Sequence, residues 1–433
     1  MVKCSYMELI VKNFGPIKDA HIQTKRYNVL IGNTSTGKSV LAKLISIAYE
    51  LEFYFIEDGN FAAYTKLLRK YCIDFPFSDS TKIEISFALA HWVISKDNFK
   101  IIKRIGAPFF IQDDITTSNN KEVASLYRDI SIDKKMENDI DPNNPIFEEA
   151  KKTYNELLNN IALNQKTDLS KYSQPAIDLA YRSFLVYIYG INASIYIPAE
   201  RNLMSVFTNN IFSFLKSGSN IPESIKRFGS LYESAKGENK ELSIPFMNIK
   251  VDFTSEDDKI TLNNESAEIR FEQASSGLQS IIPLWSVFIY GIKNHAQATA
   301  IIEEPELNLF PTLQVDLVNN LVAQLNNTKA NLLITTHSPY ILSVMDNLIY
   351  ANDVYQKAKA ENKDEQAKRI EKLVNPAMMI NFDEVAAYHC QDNGEVVYMN
   401  DKDMRNTGAY ALDSASTISS RIFNELMDID NEL

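Results

Sequence analysis

Apolar and polar residues alternate with a period of two through residues 6–31. YMELIVKNFG, PIKDAHIQT and RYNVLIG read as three strands, with Gly15-Pro16 turning the chain between the first two. The third strand closes on Val29-Leu30-Ile31 and leads into a glycine-bounded loop and an amphipathic helix reaching Glu50. From about Ile45 to Tyr189 the pattern is mostly helical, broken at Pro76, Pro108 and the cluster Asp141-Pro142-Asn143-Asn144-Pro145. Phe147, Ala150, Tyr154, Leu157, Leu158 and Ile161 fall at steps of three and four and predict one amphipathic helix, and Ala176 to Tyr189 predicts another. A strand then covers Ile195 to Ile197, and Phe228 to Phe271 is rich in strands and turns, with MNIKVDF and KITL flanking an acidic turn. Val354 to Leu373 reads as one charged, solvated helix; the chain ends in the alternating EVVYMND and the helical SASTISSRIFNELMDI.

Composition narrows the class. The 433 residues, 45% hydrophobic, are enough for a sizeable core. The net charge of −12 argues against a surface that coats nucleic acid indiscriminately, because phosphate neutralisation supplies non-specific affinity. Nucleic acid is therefore a partner that the charge does not indicate. Cys4, Cys72 and Cys390 lack metal-ligand spacing, which predicts reduced thiols in a cytoplasmic setting. The N-terminus lacks the pattern of a signal peptide, and the longest apolar run, Ile281 to Ile292, is too short to span a membrane. With Pro283 in its first turn it reads as a buried helix.

The loop after the third strand is Gly32-Asn33-Thr34-Ser35-Thr36-Gly37-Lys38-Ser39, a full match to G-x-x-x-x-G-K-[ST] between a strand and a helix. Glycines let the backbone curl so that its N–H groups face a phosphate chain, and the helix N-terminus behind adds roughly half a positive charge. Lys38 is expected to reach the β- and γ-phosphates, and the Ser39 hydroxyl to ligate Mg²⁺. The pattern predicts binding of a nucleoside triphosphate.

Three later segments supply the remaining chemistry. Ala298 to Ile302 is an apolar strand running into Glu303-Glu304-Pro305-Glu306. Consecutive carboxylates at a strand end can place one acid toward Mg²⁺ and the next beside the attacking water, so Glu303 is expected on the metal side and Glu304 as general base. Asn331 to Thr336 is a second buried strand, ending at His337, a residue able to contact the γ-phosphate and the attacking water. Before both lies Ala274-Ser275-Ser276-Gly277-Leu278-Gln279-Ser280, a small-residue turn entering the apolar helix. Its N–H groups and the Ser276 hydroxyl could grip a γ-phosphate, more readily one bound to a second subunit.

In this order GNTSTGKS, SSGLQ, IIEEPE and TTHSP resemble the ATP-binding-cassette heads of the RecF and SMC type, and LIVKNFGPI followed by NVLIGNTSTGKS is similar to their N-terminal sheet. EEPELNLFP, IPAER and the short C-terminal alternation are similar to the ATPase half of the overcoming-lysogenization-defect (OLD) group and its relatives in bacterial anti-phage systems. The resemblance covers residues 1 to about 50 and 195–433 and implies an α/β, ABC-type P-loop ATPase head with a helical insertion. The expected division is 1–53 for the first part of the head, 54–190 for the insertion and 191–433 for the remainder. It further implies ATP and Mg²⁺ as cofactors and a head-to-tail homodimer, or a higher homo-oligomer, with each ATP held by Lys38 of one subunit and by Ser276 and Gly277 of the other. Arg201 or Glu200 is implied near the γ-phosphate. Two positions depart from the resemblance: Glu303 stands where many heads carry aspartate, and Phe310 where relatives often carry histidine.

OLD nucleases carry a Toprim nuclease of well over a hundred residues after the ATPase, whereas about 96 residues follow His337 here. Asp401-Lys402-Asp403, the acidic cluster in that stretch, reads as a turn. No nuclease activity is expected in this chain. The leading expectation is an ATPase that gates a separately encoded effector, nuclease or toxin, resembling in architecture the ATPase subunits of PARIS or Septu-like systems. The alternative is a DNA-repair or chromosome-maintenance ATPase of the RecF/SMC type that binds DNA directly.

Overall fold

The computed structural model describes residues 6–54, 56, 58–87, 90–104, 152, 194–207, 221–253, 258–262, 268–294 and 298–408. Among these, eleven strands form one sheet and four a second. The three strands expected at the start are β1 (Glu8–Phe14), β2 (Ile17–Gln23) and β3 (Tyr27–Ile31), with Gly15-Pro16 between the first two. Every residue of β3 is buried. It is a central strand packed on both faces, which is why its alternation gives way to an apolar run.

The parallel core of the large sheet is β7 (Ser194–Ile197), β12 (Thr299–Glu303), β13 (Asn331–Thr336), β3 and β14 (Val385–Cys390), side by side in that order. β15 (Glu395–Tyr398) turns back antiparallel to β14 and runs parallel to β2. Beyond β2 and β1 the sheet continues antiparallel through β4 (Lys82–Phe87), β5 (Ala90–Ser95) and β6 (Asn98–Arg104).

Helix α1 (Lys38–Ala48) follows the phosphate loop and buries Leu41, Leu44 and Ile45 on one face of the sheet with Leu30, Ile301 and Leu333. Shortening such a fully buried leucine to alanine costs about 2–5 kcal/mol. The opposite face, carrying Val29, Ile31, Ile302 and Ile334, is covered by α6 (Ser276–Asn294), α7 (Pro311–Asn326) and α8 (Pro339–Ala360). Short helices α2 (Leu51–Tyr54) and α3 (Phe61–Lys70) lie against the antiparallel edge, where Phe53 packs its ring 5.1 Å from Trp92 and 5.9 Å from Phe99. After β7 come the 3-10 turn Ala199–Leu203, α4 (Met204–Phe207) and α5 (Glu223–Glu238); the second sheet is β8 (Glu241–Ile244), β9 (Ile249–Asp252), β10 (Lys259–Leu262) and β11 (Glu268–Arg270), all antiparallel.

Four sequence expectations need correction. The stretch from Ile45 to Tyr189 is not mostly helical throughout, since residues 82–104 form the meander β4–β6 that extends the ATPase sheet itself. Ile83, Ile85 and Phe87, then Trp92 and Ile94, are buried at every second position, the period of a strand. Within the strand-rich stretch from Phe228, residues 228–238 belong to α5, on which Phe228, Tyr232 and Ala235 make one buried stripe. Val354 to Leu373 is not one helix, because the chain turns at Asn362 (φ 55°) between α8 and α9 (Asp364–Leu373). Pro283 sits well inside α6, which begins at Ser276, so the small-residue turn is already the first turn of that helix. Apart from residue 152, the helices expected at 147–161 and 176–189 and the C-terminal helix lie outside the described residues.

Candidate functional site

Parallel strands deliver their C-terminal ends to one side of a sheet, and in open α/β sheets that rim is where ligands bind. Here β3 ends at the phosphate loop, β12 at Glu303-Glu304, β13 at His337, β7 at Pro198 before Arg201, and β14 at Cys390. The register sets Ile31 beside Thr336 on one flank and beside His389 on the other, and pairs Glu303 with Thr335. Motifs scattered over 360 residues of sequence thereby meet at one edge.

The loop from Gly32 to Ser39 curls as its glycines require. Gly37, directly before α1, has φ 94°, a left-handed conformation natural to glycine, and Ser35 shares that region at φ 67°. Gly32 lies so close to the Cys390 carbonyl oxygen that a Cβ would stand 2.1 Å from it. Thr36 donates its hydroxyl proton to the Asn33 carbonyl at 2.8 Å. Asn33 in turn donates to both carboxylate oxygens of Asp392, at 3.0 and 3.1 Å. Thr34, Ser35 and Ser39 are exposed along the loop. Lys38 is buried; its ammonium donates to the carbonyls of Gly32 at 2.8 Å and Asn33 at 2.6 Å and lies 3.4 Å from Nδ1 of His337. Burial pulls its pKa below the ordinary lysine value, and the nearby glutamates oppose that shift.

Glu304 has left the strand with φ 43°, and its N–H donates to the Thr335 carbonyl at 2.8 Å. Its Oε1 lies 3.0 Å from Nε2 of His337. Lys38, His337 and Glu304 are thus linked in one short chain of polar contacts. Glu303 points the other way and is 3% exposed. Burial raises its pKa above the usual carboxylate value, with the Tyr196 hydroxyl, Lys43 and the Ser39 hydroxyl pulling in the opposite direction. Its Oε2 receives the Ala199 N–H at 3.4 Å, while Oε1 and the neighbouring Tyr196 hydroxyl are both buried without a hydrogen bond of ordinary geometry. An orphaned buried carboxylate oxygen near the Ser39 hydroxyl suits a hydrated divalent cation, because Mg²⁺ keeps several waters and takes few protein ligands. Ser39 and Glu303, the two expected on the metal side, stand within electrostatic reach of each other.

Arg201, implied near the γ-phosphate, stands at the same rim, just after β7. It is fully buried, and its guanidinium donates to backbone carbonyls: Nε to Ser280 at 3.2 Å, Nη1 to Pro198 at 3.2 Å and Glu303 at 2.7 Å, and Nη2 to Glu304 at 2.7 Å. Those bonds aim the donors at the protein's own backbone. Glu200 beside it is exposed. Ser276 is exposed at the start of α6, and Gly277 is half-buried against the Asn308 carbonyl, which a Cβ would approach to 2.9 Å. Among the described residues neither shares a hydrogen bond with the phosphate loop.

Sequence reasoning missed Glu306, Tyr196 and Asp392. Oε1 of Glu306 accepts from the Thr336 hydroxyl and from the His337 N–H, both at 2.7 Å, and so ties the acidic loop to the histidine loop. The signal was the third acid of EEPE, which pattern alone assigns to a solvated turn. Nothing local could have revealed Asp392, which lies 359 residues from its partner Asn33. No described helix is long and apolar enough to cross a membrane.

Comparison with known proteins agrees with this geometry. The family model for an AAA ATPase domain matches residues 7–342. Three solved structures are similar to this chain at low identity and low TM-score. The Smc head domain with an extended coiled coil, bound to the C-terminal domain of ScpA and derived from Pyrococcus furiosus, is 10% identical, with 96% of this chain and 99% of that chain covered and a TM-score of 0.35. The SMC head domain from Thermotoga maritima is 11% identical over 78% and 91%, at 0.34. An ATP-binding cassette of an ABC transporter in its ADP conformation is 12% identical over 93% and 93%, at 0.34. No curated protein matches the chain. Because the family model takes in well over half of the 433 residues, the chain belongs to the AAA ATPase domain family.

Proposed function

We propose that this chain binds ATP with Mg²⁺ on the loop from Gly32 to Ser39 and hydrolyses it, with Glu304 as the general base. The observation that carries this reading is the polar chain Lys38–His337–Glu304, with contacts of 3.4 and 3.0 Å, at the rim of the parallel strands. Lys38 would neutralise phosphate charge. Glu304 would take a proton from water, and His337 holds Glu304 in place while facing the same space. Bound Mg²⁺, held by Ser39 and through water by Glu303, would supply charge stabilisation at the phosphates. Steady-state release of phosphate from ATP tests the reading: turnover that Glu304→Gln abolishes while nucleotide binding persists supports it, and equal turnover in the two proteins overturns it.

The same reading extends to assembly. Exposed Ser276 and half-buried Gly277 at the start of α6 would serve a nucleotide held by a second copy, which makes a head-to-tail dimer the working unit. The net charge of −12, which disfavours indiscriminate coating of nucleic acid, supports a role as a scaffold or sensor that controls a separate effector, nuclease or toxin, in anti-phage defence. The native mass of Glu304→Gln, expressed with its neighbouring genes, with and without ATP and Mg²⁺, tests this: a mass above two chains with a second polypeptide retained supports it. A bare monomer that dimerises with ATP favours the DNA-maintenance alternative, to be followed by salt-sensitive DNA binding.

A further inference from the structure

Arg201 joins separate parts of the rim, and among the described residues its hydrogen bonds run to main-chain carbonyls rather than to the phosphate loop or His337. Its guanidinium collects four carbonyls from three segments: Pro198 after β7, Glu303 and Glu304 at the C-terminal end of β12, and Ser280 in the second turn of α6. It is fully buried among the carboxylates of Glu200, Glu303, Glu304 and Glu306, whose charges offset part of the cost of burying the cation. Glu304, whose carbonyl it holds at 2.7 Å as it does that of Glu303, sits at φ 43°, a conformation unfavourable for a non-glycine residue that persists only where surrounding contacts enforce it. Three backbone contacts enforce it: the Glu304 N–H donates to Thr335, and its carbonyl receives Arg201 and the Leu307 N–H. A flexible lysine could reach one of these carbonyls but not all four, because only a planar fork carries donors in several fixed directions.

One end of this brace is the helix whose first residue is exposed Ser276, four residues before Ser280. A helix moves as a unit over one turn, so a displacement of Ser276 by a bound anion is delivered to the Ser280 carbonyl and through the guanidinium to Glu304. We infer that Arg201 is a positioning residue that fixes the carboxylate of Glu304 and couples it to the N-terminus of α6. Arrival of a second nucleotide-bearing copy at Ser276 would thereby be reported to the base of the first. This rests on the proposal that Glu304 is the base and that Ser276 meets a nucleotide held by another copy.

The full chain carrying Arg201→Lys, which keeps the charge and loses the fork, separates this role from a merely structural one. Expected are an affinity for a non-hydrolysable ATP analogue within twofold of wild type and a turnover reduced roughly hundredfold, the scale at which a misplacement of about 1 Å acts on catalysis. Amide hydrogen exchange across residues 303–309 in nucleotide-free protein should be faster than in wild type. Turnover within twofold of wild type, or unchanged exchange across 303–309, overturns the inference. Should Arg201→Lys not fold, Ser276→Arg, at an exposed position, gives the second reading. Adding the analogue with Mg²⁺ should slow exchange at 303–309 in wild type and not in Ser276→Arg, while protection of the loop at 32–39 persists in both; an equal response at 303–309 in the two proteins overturns the coupling. A wild-type chain without ATP turnover defeats the proposed function, and the exchange measurements still decide whether Arg201 holds the Glu304 backbone.

Discussion

Nε2 of His337 lies 3.0 Å from Oε1 of Glu304, while Nδ1 of the same ring lies 3.4 Å from the Lys38 ammonium. One imidazole therefore spans from the residue assigned to phosphate binding to the residue assigned to water activation. Replacing His337 with alanine removes the only side chain that bridges them among the described residues. Turnover is expected to fall by about 10²- to 10⁴-fold, the range for losing a positioned acid–base group, while nucleotide affinity changes much less. Paired measurements of kcat and analogue binding check this.

Glu303 gives a prediction with a definite sign in pH. Its pKa in the folded protein is raised by burial above the unfolded value, so the folded state holds that proton more tightly. Its contribution to stability is full below the unfolded pKa and is lost as pH rises through the folded one. In the absence of nucleotide and metal, Glu303→Gln should raise the melting temperature at pH 7–8 and lose that advantage at pH 4. Mg²⁺-dependent turnover should vanish in the same variant. Thermal unfolding across that pH range and phosphate release together check both halves.

Glu306→Ala leaves the Thr336 hydroxyl and the His337 N–H without their shared acceptor. A cost of about 1–3 kcal/mol is expected for stranding these groups, with a drop in turnover as the histidine loop loosens. Denaturant unfolding and kinetics on the same preparation check it.

Gly32→Ala should abolish nucleotide binding, because the new Cβ would stand 2.1 Å from the Cys390 carbonyl oxygen and the backbone on both sides would have to move. Overpacking of this kind costs about 1–3 kcal/mol or more. Gly237→Ala is the control: it lies in α5 with nothing within 4 Å and should stabilise the chain by about 0.5–1 kcal/mol. Melting temperatures and analogue affinities distinguish the two.

The thiol of Cys390 is buried, and burial pushes its pKa up to about 12, with Lys38 opposing that shift. Since the thiolate is the reactive form, Cys390 should resist iodoacetamide at pH 8 in the folded protein while exposed Cys72 is alkylated. Peptide mapping by mass spectrometry reads the two sites separately.

Much of the rim was legible in the sequence because its chemistry is local. An apolar run ending in GNTSTGKS, in EEPE or in TTHSP identifies both a central strand and the residues at its end, and β3, β12 and β13 carry those runs side by side. The antiparallel meander was not read, although Ile83, Ile85 and Phe87 alternate, because prolines on both sides suggested interrupted helices. Arg201 was drawn toward phosphate by analogy. Its actual partners are main-chain carbonyls, which have no letter in the sequence. Glu306 and Asp392 gain their roles from strand neighbours set by the sheet order, and that order is a tertiary property.

Strand β3 carries the phosphate loop near the start of the chain, yet the strands on either side of it, β13 and β14, come from residues 331–336 and 385–390. A ribosome makes β3 first, at about 5–20 residues per second, so the loop waits on the order of tens of seconds for both neighbours. During that interval an apolar strand has its two edges open and no nucleotide site to offer. Nascent chains halted before the β14–β15 hairpin should therefore be the ones that need a chaperone, and ATP competence should appear in one step once that hairpin has formed.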